Sequence, residues 1–359
     1  PKRPSAEILA KAAPRLIKAV RECDTTRPIT AGLANIPASN ATGLADLLDV
    51  VGYNYQLEHY EKDMARYPQR KFVGTENGYE IGYYEITQNP RVTGQFLWIG
   101  IDYLGEARRW PERGWDNGLL NTCGFQKPRA AFRQSLWSDK PMVYVCVRTP
   151  ERDRRTRSWQ GDFGWQPVES HWNWATDSRA ELPVEVYSNC EGVELFLNGK
   201  SLGRKSRAEA ERHMFRWNVP FQPGELKAIG TPAGPGRPVE YRLVTAGPPA
   251  RLELLPDQTT LAADGRDVAH IELRLVDEHG VLVPTGNALC AVNVTGAARL
   301  LAVDNGNQFD LSPLTATSRK LTRGRALAIL QSLRQPGPIT LTVTASNLPL
   351  ATLKLQSTP

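Results

Sequence analysis

Near the start of the chain, Ile8, Leu9, Ala12, Leu16, Ile17 and Val20 recur at the spacing of one helix face, and Pro14 in their midst predicts a kink or a division into two helices. A strand is expected at Pro28 to Ala31. The run Leu47 to Tyr55 (LLDVVGYNY) is apolar without alternation, as in a strand covered on both faces. A polar helical segment from Leu57 to Tyr67 follows, then the apolar run Lys71-Phe-Val-Gly and a fourth strand from Gln95 to Ile101.

Strand, helix, strand in repetition is the pattern of a parallel sheet or barrel, in which residues at the C-terminal ends of strands line the active site. Those ends read Asn54-Tyr55, Glu76-Asn77 and Trp98 to Asp102. Four strands alone would leave two open edges and an exposed apolar face. The sequence therefore predicts that the rest of a barrel lies outside it.

The pattern changes near residue 140. Beyond it, apolar residues alternate with polar ones between Gly and Pro turns, as in Val184-Glu-Val-Tyr and in Val193 to Gly203, where Asn198-Gly199 is a two-residue hairpin turn. From about Pro249 the same pattern returns in Leu252/Leu254, Ile271/Leu273/Leu275 and Ile339/Leu341/Val343, punctuated by Asp264-Gly265, His279-Gly280 and Pro336-Gly337. Two successive antiparallel β-sandwiches are expected.

Composition narrows the function classes. With 41% apolar and 23% charged residues over 359 positions, the chain reads as folded and of more than one domain. A net charge of +6 is modest, and the densest basic stretch, Arg148 to Arg157, is mixed with Glu151 and Asp153, so it reads as a solvated loop and nucleic acid is not expected. No run is long and apolar enough to span a membrane. The five cysteines, Cys23, Cys123, Cys146, Cys190 and Cys290, form no CxxC pair and are expected to be buried thiols. The five histidines are scattered, so neither a metal site nor a cofactor is expected.

HExxH, GxSxG and GxGxxG signals are absent, and Gly199-Lys200-Ser201 belongs to a hairpin, not a phosphate loop. Carboxylates at barrel strand ends are the better lead. A glycosidic bond is cleaved by one carboxylic acid that protonates the leaving oxygen and one carboxylate that attacks or activates water. Glu76 is the best placed. An acidic residue there could also merely cap a helix or pair with arginine.

The segment Phe72-Val-Gly-Thr-Glu-Asn-Gly resembles the surroundings of the nucleophile in glycoside hydrolase family 2, and Gly94-Gln-Phe-Leu-Trp-Ile-Gly-Ile-Asp-Tyr-Leu-Gly-Glu resembles that family's last barrel strand. The resemblance continues through Gly124-Phe-Gln-Lys-Pro, Gln134-Ser-Leu-Trp, Val184 to Gly203, Val303-Asp-Asn-Gly-Asn and Arg323-Gly-Arg-Ala-Leu-Ala-Ile. It implies the second half of a (β/α)8 TIM barrel over residues 1–140, followed by two immunoglobulin-like β-sandwich domains over 141–248 and 249–359. It further implies a retaining hydrolase with Glu76 as nucleophile, Tyr55 hydrogen-bonding beside it and Trp98 walling the sugar subsite; Asn54, Asp102 and Glu106 are second-rank site residues. A carboxylate attacks the anomeric carbon, a tyrosine hydroxyl aims it, and an indole stacks on the pyranose C–H face. A buried core role is the alternative for both Tyr55 and Trp98.

The family's acid/base glutamate, in an Asn-Glu pair, would precede the first helix here. The resemblance thus implies an N-terminal remainder of the same enzyme as partner, without which these residues would be inactive, and it leaves homo-oligomers open. It also suggests a periplasmic or secreted location. Family glucuronidases share an Asn-x-Lys-Gly element that holds the substrate carboxylate, and the matching stretch here is Asn121-Thr122-Cys123-Gly124, without the lysine. Together with the Val193 to Gly203 and Val303 to Asn307 segments, this points to a β-galactoside substrate, with β-glucuronides and β-mannosides as alternatives. A rival from another class is a non-catalytic glycan-binding module presenting Trp159, Trp165, Trp172 and Trp174.

Overall fold

The computed structural model describes residues 5–107, 110–149, 167–175 and 181–359. The first apolar pattern folds as a single helix, Ala6–Cys23, that runs unbroken through Pro14. The expected break is absent: the proline removes one main-chain donor, to the Ala10 carbonyl, and the remaining turns continue. Only Ala10 and Ala13 pack against the neighbouring core, while Ile8, Leu9, Leu16 and Val20 are exposed.

This helix belongs to one of two compact units, which takes in the described residues up to Gly100. Its centre is a parallel sheet in the order β1 (Gly32–Leu33), β2 (Val51–Asn54), β3 (Phe72–Asn77) and β4 (Val92–Leu97). The strand expected at Pro28 to Ala31 starts later, because proline supplies no donor and the Ile29 N–H is taken by Asp49 Oδ2 at 2.7 Å instead of a ladder partner. β2 is likewise shorter than the apolar run that predicts it, since Ala45–Leu47 forms a 3-10 turn. Helices Ile36–Ala41, Tyr60–Arg66 and Ile81–Ile86 lie in the connections between successive strands.

The two faces of this sheet differ in composition. One is a core of Leu33, Ile36, Val51, Tyr53, Tyr60, Phe72 and Val92, in which the Tyr53 ring lies 4.3 Å from Tyr60 and 5.4 Å from Phe72. Fully buried aromatics of this kind each contribute about 1.5–3 kcal/mol. The Tyr53 hydroxyl donates to Asp63 at 2.6 Å, so its polar end is satisfied inside that core. On the other face the residues are small: a Cβ added at Gly52 would lie 2.2 Å from the Ala31 carbonyl and 2.6 Å from Thr75.

The second unit takes in the described residues from Ile101 onward. It opens with a short ribbon, Tyr103–Leu104 paired with Gly114–Trp115, and the helix Pro128–Trp137. Two four-stranded sheets follow, one built on Val143–Arg148 and Glu181–Ser188, the other on Gly192–Leu197 and Glu225–Thr231. Val145, Val184, Val186 and Phe215 from the first share a core with Leu195, Leu226 and Ala228 from the second. Asn198 and Gly199 take φ of 49° and 79°, the left-handed pair that the hairpin between Gly192–Leu197 and Lys200–Ser206 requires.

The C-terminal strands form a four-stranded and a five-stranded sheet that share a core of Ile271, Leu273, Leu275, Leu330, Ile339, Leu341 and Val343. Beside that core lies Arg319, a guanidinium with no exposed surface. It donates to the Val303, Ser312 and Pro313 carbonyls at 2.7–3.0 Å and pairs with Asp310 at 3.2 Å. The architecture as a whole is mostly β-sheet with some helices. Among the described residues, no helix is long and apolar enough to cross a membrane.

Arg319 pins the loop between Val303 and Ser318 to the sheet below. Arg319→Ala strands three carbonyls and the Asp310 carboxylate, so a loss of about 3–5 kcal/mol is expected. Urea unfolding at pH 7 measures it.

Candidate active site

The site begins with a register shift at the C-terminal edge of the parallel sheet. Tyr53 pairs with Gly74 and Asn54 pairs with Glu76, so Thr75 is an extra residue on β3. A bulge bends its strand and re-aims the next side chain. Here it brings Asn54 Nδ2 to 3.2 Å from Oε2 of Glu76, to which it donates. The main chain closes the same corner, since the Tyr55 N–H donates to the Glu76 carbonyl at 2.9 Å.

Tyr55 takes a φ of 51°, a left-handed conformation that costs a non-glycine residue about 1–2 kcal/mol and that clusters at functional sites. Burial pushes the Tyr55 hydroxyl far above the ordinary phenol range, and its hydrogen bond with Glu76 and the charge of that carboxylate push it further. The hydroxyl therefore stays protonated and remains a donor to Glu76. Sequence-predicted Asn54, Tyr55 and Glu76 are thus brought together.

Trp98, one residue beyond β4, is half-buried, and its N–H donates to the Asn77 carbonyl at 2.9 Å. The Trp98-Ile99 peptide bond is cis, and the Ile99 carbonyl accepts from the Tyr79 hydroxyl at 3.1 Å. The backbone at this strand end is therefore tied directly to the loop after Glu76.

Of the other polar groups at this edge, the strand-end pattern marks Asn77 but not Thr75, Glu80 or Gln95. Among the described residues, Thr75 Oγ1, Asn77 Oδ1, Glu80 Oε2 and Gln95 Oε1 are buried without a hydrogen-bond partner. Burial holds the Glu80 carboxyl above its ordinary value. Interiors rarely tolerate such atoms, and four on one sheet and the turn after it make an environment suited to a polar ligand. The signal was the run of polar residues after Gly74, which the search for a single catalytic carboxylate passed over.

Asp102 lies in the second unit and is 4% exposed. Lys127 Nζ reaches both its oxygens, at 2.7 and 2.6 Å, and the Gly118 N–H donates to Oδ1 at 2.7 Å. Burial raises the Asp102 carboxyl and lowers the Lys127 ammonium, each partly offset by the other's charge. Both oxygens are engaged, so Asp102 ties together the two ends of the segment from Ile101 to Lys127. Lys127 was visible only as part of the Gly124-Phe-Gln-Lys-Pro motif. Glu106 is exposed, with a φ of 49°, and accepts from the Tyr103 hydroxyl.

The Asn121 to Gly124 turn carries no cation of its own. Asn121 Oδ1 accepts from the Cys123 and Phe125 N–H groups, and Thr122 donates to Asp304 at 2.7 Å. Burial, then the Asp304 charge, pushes the Cys123 thiol well up. Cys146, Cys190 and Cys290 are also buried thiols, whereas Cys23 is exposed, against expectation, on a helix with no buried residue.

Of the aromatics of the binding-module alternative, the structure describes Trp172 and Trp174. Trp172 has no exposed surface and donates to the Gln222 carbonyl at 2.8 Å, and Trp174 packs against the same core. Trp159, Trp165 and most of the Arg148 to Arg157 stretch lie outside the described residues.

Residues 252–354 match the glycoside hydrolase family 2 C-terminal domain 5, and residues 180–236 match a domain of unknown function. The chain is 28% identical to a β-galactosidase of Bacteroides ovatus over 96% of its own length and 43% of that protein. It is also 28% identical to a putative β-glucuronidase of Formosa agariphila over 71% of its length and 23% of that protein. A solved glycosyl hydrolase family 2 member from Bacteroides cellulosilyticus superposes with a TM-score of 0.90 at 32% identity, over 99% of this chain and 47% of that one. The chain thus spans less than half the length of these relatives.

The Asp102–Lys127 pair yields a stability prediction. Lys127→Met leaves a buried unpaired carboxylate and should cost about 3–5 kcal/mol at pH 7, whereas Asp102→Asn combined with Lys127→Met should recover most of that loss. In the single variant the folded state binds the Asp102 proton more tightly than the unfolded chain, so stability should rise as pH falls through the raised value. Urea unfolding of the parent and the two variants between pH 4 and 8 measures both effects.

Proposed function

We propose, from the relationship of this chain to glycoside hydrolase family 2, that it is the C-terminal part of a retaining β-galactosidase with Glu76 as nucleophile. The observation that carries this reading is the convergence of Asn54 Nδ2 and the Tyr55 hydroxyl on the Glu76 carboxylate at the C-terminal edge of a parallel sheet. Two donors fix the orientation of the carboxylate and leave lone pairs free to face a substrate.

In the first step a Glu76 oxygen attacks the anomeric carbon, the bond to the leaving oxygen breaks, and a carboxylic acid protonates that oxygen. In the second, water gives a proton to the same carboxylate and attacks the anomeric carbon, which breaks the ester to Glu76 with net retention. The proton donor must stand roughly 5–5.5 Å from the nucleophile. We assign it to an upstream part of the enzyme, which also completes a (β/α)8 barrel with β1–β4.

On this reading residues 1–140 supply the second half of the barrel, with 141–248 and 249–359 as immunoglobulin-like sandwiches. Trp98 offers its indole to the sugar's C–H face. Asp102 fixes the segment from Ile101 to Lys127, where both its oxygens are engaged. A periplasmic or secreted location suits an enzyme acting on external glycans.

Galactosides are favoured over uronides because the turn at Asn121 to Gly124 has no lysine, and its Thr122 already serves the Asp304 carboxylate. The names of the relatives include both activities, so the sugar must be tested directly. Full-length enzyme treated with a 2-deoxy-2-fluoro-β-galactoside should gain the mass of one glycosyl group on the peptide containing Glu76. Glu76→Gln should abolish the labelling and lower kcat by at least about a thousandfold. Labelling by a different epimer alone would keep the nucleophile and replace the substrate; no labelling by any epimer would remove both.

A further inference from the structure

We propose that Glu80, in the turn after Glu76, is a specificity residue of the same site: its carboxylate accepts a hydrogen bond from one hydroxyl of the neutral pyranose bound against Glu76. This assignment rests on the glycosidase reading above and deepens it. Tyr55, Glu76, Gly78 and Glu80 all lie in the first compact unit.

Glu80 directly precedes the helix Ile81–Ile86, yet its side chain caps none of that helix's N–H groups. The carboxyl folds back over the turn after β3, where Oε2 lies 2.3 Å from the point that a Cβ on Gly78 would occupy. Gly78 is buried and stands two residues beyond Glu76, so a side chain at that position would push the carboxyl away. Glu80 also stands close enough to the Tyr55 hydroxyl to act on it. Burial is the main reason that hydroxyl stays protonated, its hydrogen bond with Glu76 comes next, and the Glu80 charge works in the same direction. The second carboxylate is therefore a neighbour of the Tyr55–Glu76 pair.

Glu80 Oε2 is buried and has no donor within hydrogen-bond reach. Burial raises the carboxyl above its ordinary value, opposed by its own main-chain N–H. A buried oxygen without a donor destabilises the free protein, and proteins keep such groups where function requires them. The neighbouring polar groups are themselves short of donors. Asn77, 1% exposed, has its Oδ1 unpartnered, as has Gln95 its Oε1, and Gln95 Nε2 is spent on the Tyr83 carbonyl at 2.9 Å. Surroundings made of acceptors select a ligand that donates. A sugar hydroxyl does so and carries no charge, whereas a uronate carboxylate has no proton to give at neutral pH and would be repelled.

The test crosses variants of the full-length enzyme with deoxy substrates. kcat/KM is measured for the parent, Glu80→Ala and Glu80→Gln on an aryl β-galactoside and on its 2-, 3-, 4- and 6-deoxy analogues. Differences in intrinsic reactivity cancel, because each analogue is compared across enzymes. At one position the parent should discriminate against the deoxy sugar about 10- to 100-fold more than Glu80→Ala does, as a hydrogen bond to a charged acceptor implies, with Glu80→Gln in between. The ligand-free Glu80→Gln enzyme, relieved of an unpartnered buried carboxylate, should keep or raise its thermal midpoint. Equal discrimination at every position overturns the proposal; a lower thermal midpoint of ligand-free Glu80→Gln would then assign the missing donor to the upstream part of the enzyme. A parent inert toward galactosides but active on another epimer refutes the galactoside alone, and the deoxy series of that epimer decides the role of Glu80. A parent inert toward every epimer refutes both.

Discussion

One register shift governs the candidate site: Thr75 has no counterpart on β2, so Asn54 faces Glu76. In an unbulged ladder Asn54 would face Thr75, and the Glu76 side chain would turn to the opposite face of the sheet. The shift is tolerated because the strands are fixed from the other side, where Tyr53, Tyr60 and Phe72 pack ring against ring. Gly52 then lets the backbone of Ala31 and the side chain of Thr75 close in. Rigidity is supplied by the apolar face and chemistry by the polar one, and neither works without the other.

The second unit uses buried charge in a comparable way, to fix loops. The Asp102–Lys127 pair holds the segment from Ile101 to Lys127, and Arg319 holds the loop from Val303 to Ser318. Such groups are costly to desolvate, so they contribute little net stability, but each is matched by several main-chain partners that permit only one loop path. The Thr122–Asp304 bond joins the two pinned loops. The C-terminal sheets are thereby coupled to the segment that continues from the parallel sheet's last strand.

Most of the strands could be read from the sequence because alternation and turn chemistry agree there, as at Asn198-Gly199. The parallel strands were visible as apolar runs, but their limits were not. Whether Pro28 to Ala31 joins a ladder depends on the carboxylate of Asp49, a distant residue that captures the Ile29 N–H. The division of the helix at Pro14, one of the two outcomes expected there, did not occur because a single proline removes one hydrogen bond while the remaining turns of a mostly solvated helix continue. In the site, Glu76, Asn54 and Tyr55 were found through their place at strand ends. Glu80 and Lys127 were not, since a buried polar atom without a partner, or a lysine folded back on an aspartate, is a property of packing and leaves no periodic mark.

Under the proposed galactosidase reading, discrimination against uronides would come down to charge in the turn at Asn121. A uronate brings a carboxylate which, once desolvated, requires a cation or several N–H donors within hydrogen-bond reach. Here the turn's own N–H groups at Cys123 and Phe125 are consumed by Asn121, and its hydroxyl at Thr122 serves Asp304. Arg113 stands 3.7 Å from that same aspartate and already serves as its counter-ion, while the Arg325 guanidinium lies flat over Phe125 at 3.7 Å. A second anion placed against this turn would meet the Asp304 charge at low dielectric with both nearby cations occupied, whereas a neutral sugar would pay no such penalty. The acidic residue contributed by the C-terminal sheets is thus a physical reason why the proposed substrate would be a neutral sugar and not a uronide, on grounds separate from the missing lysine.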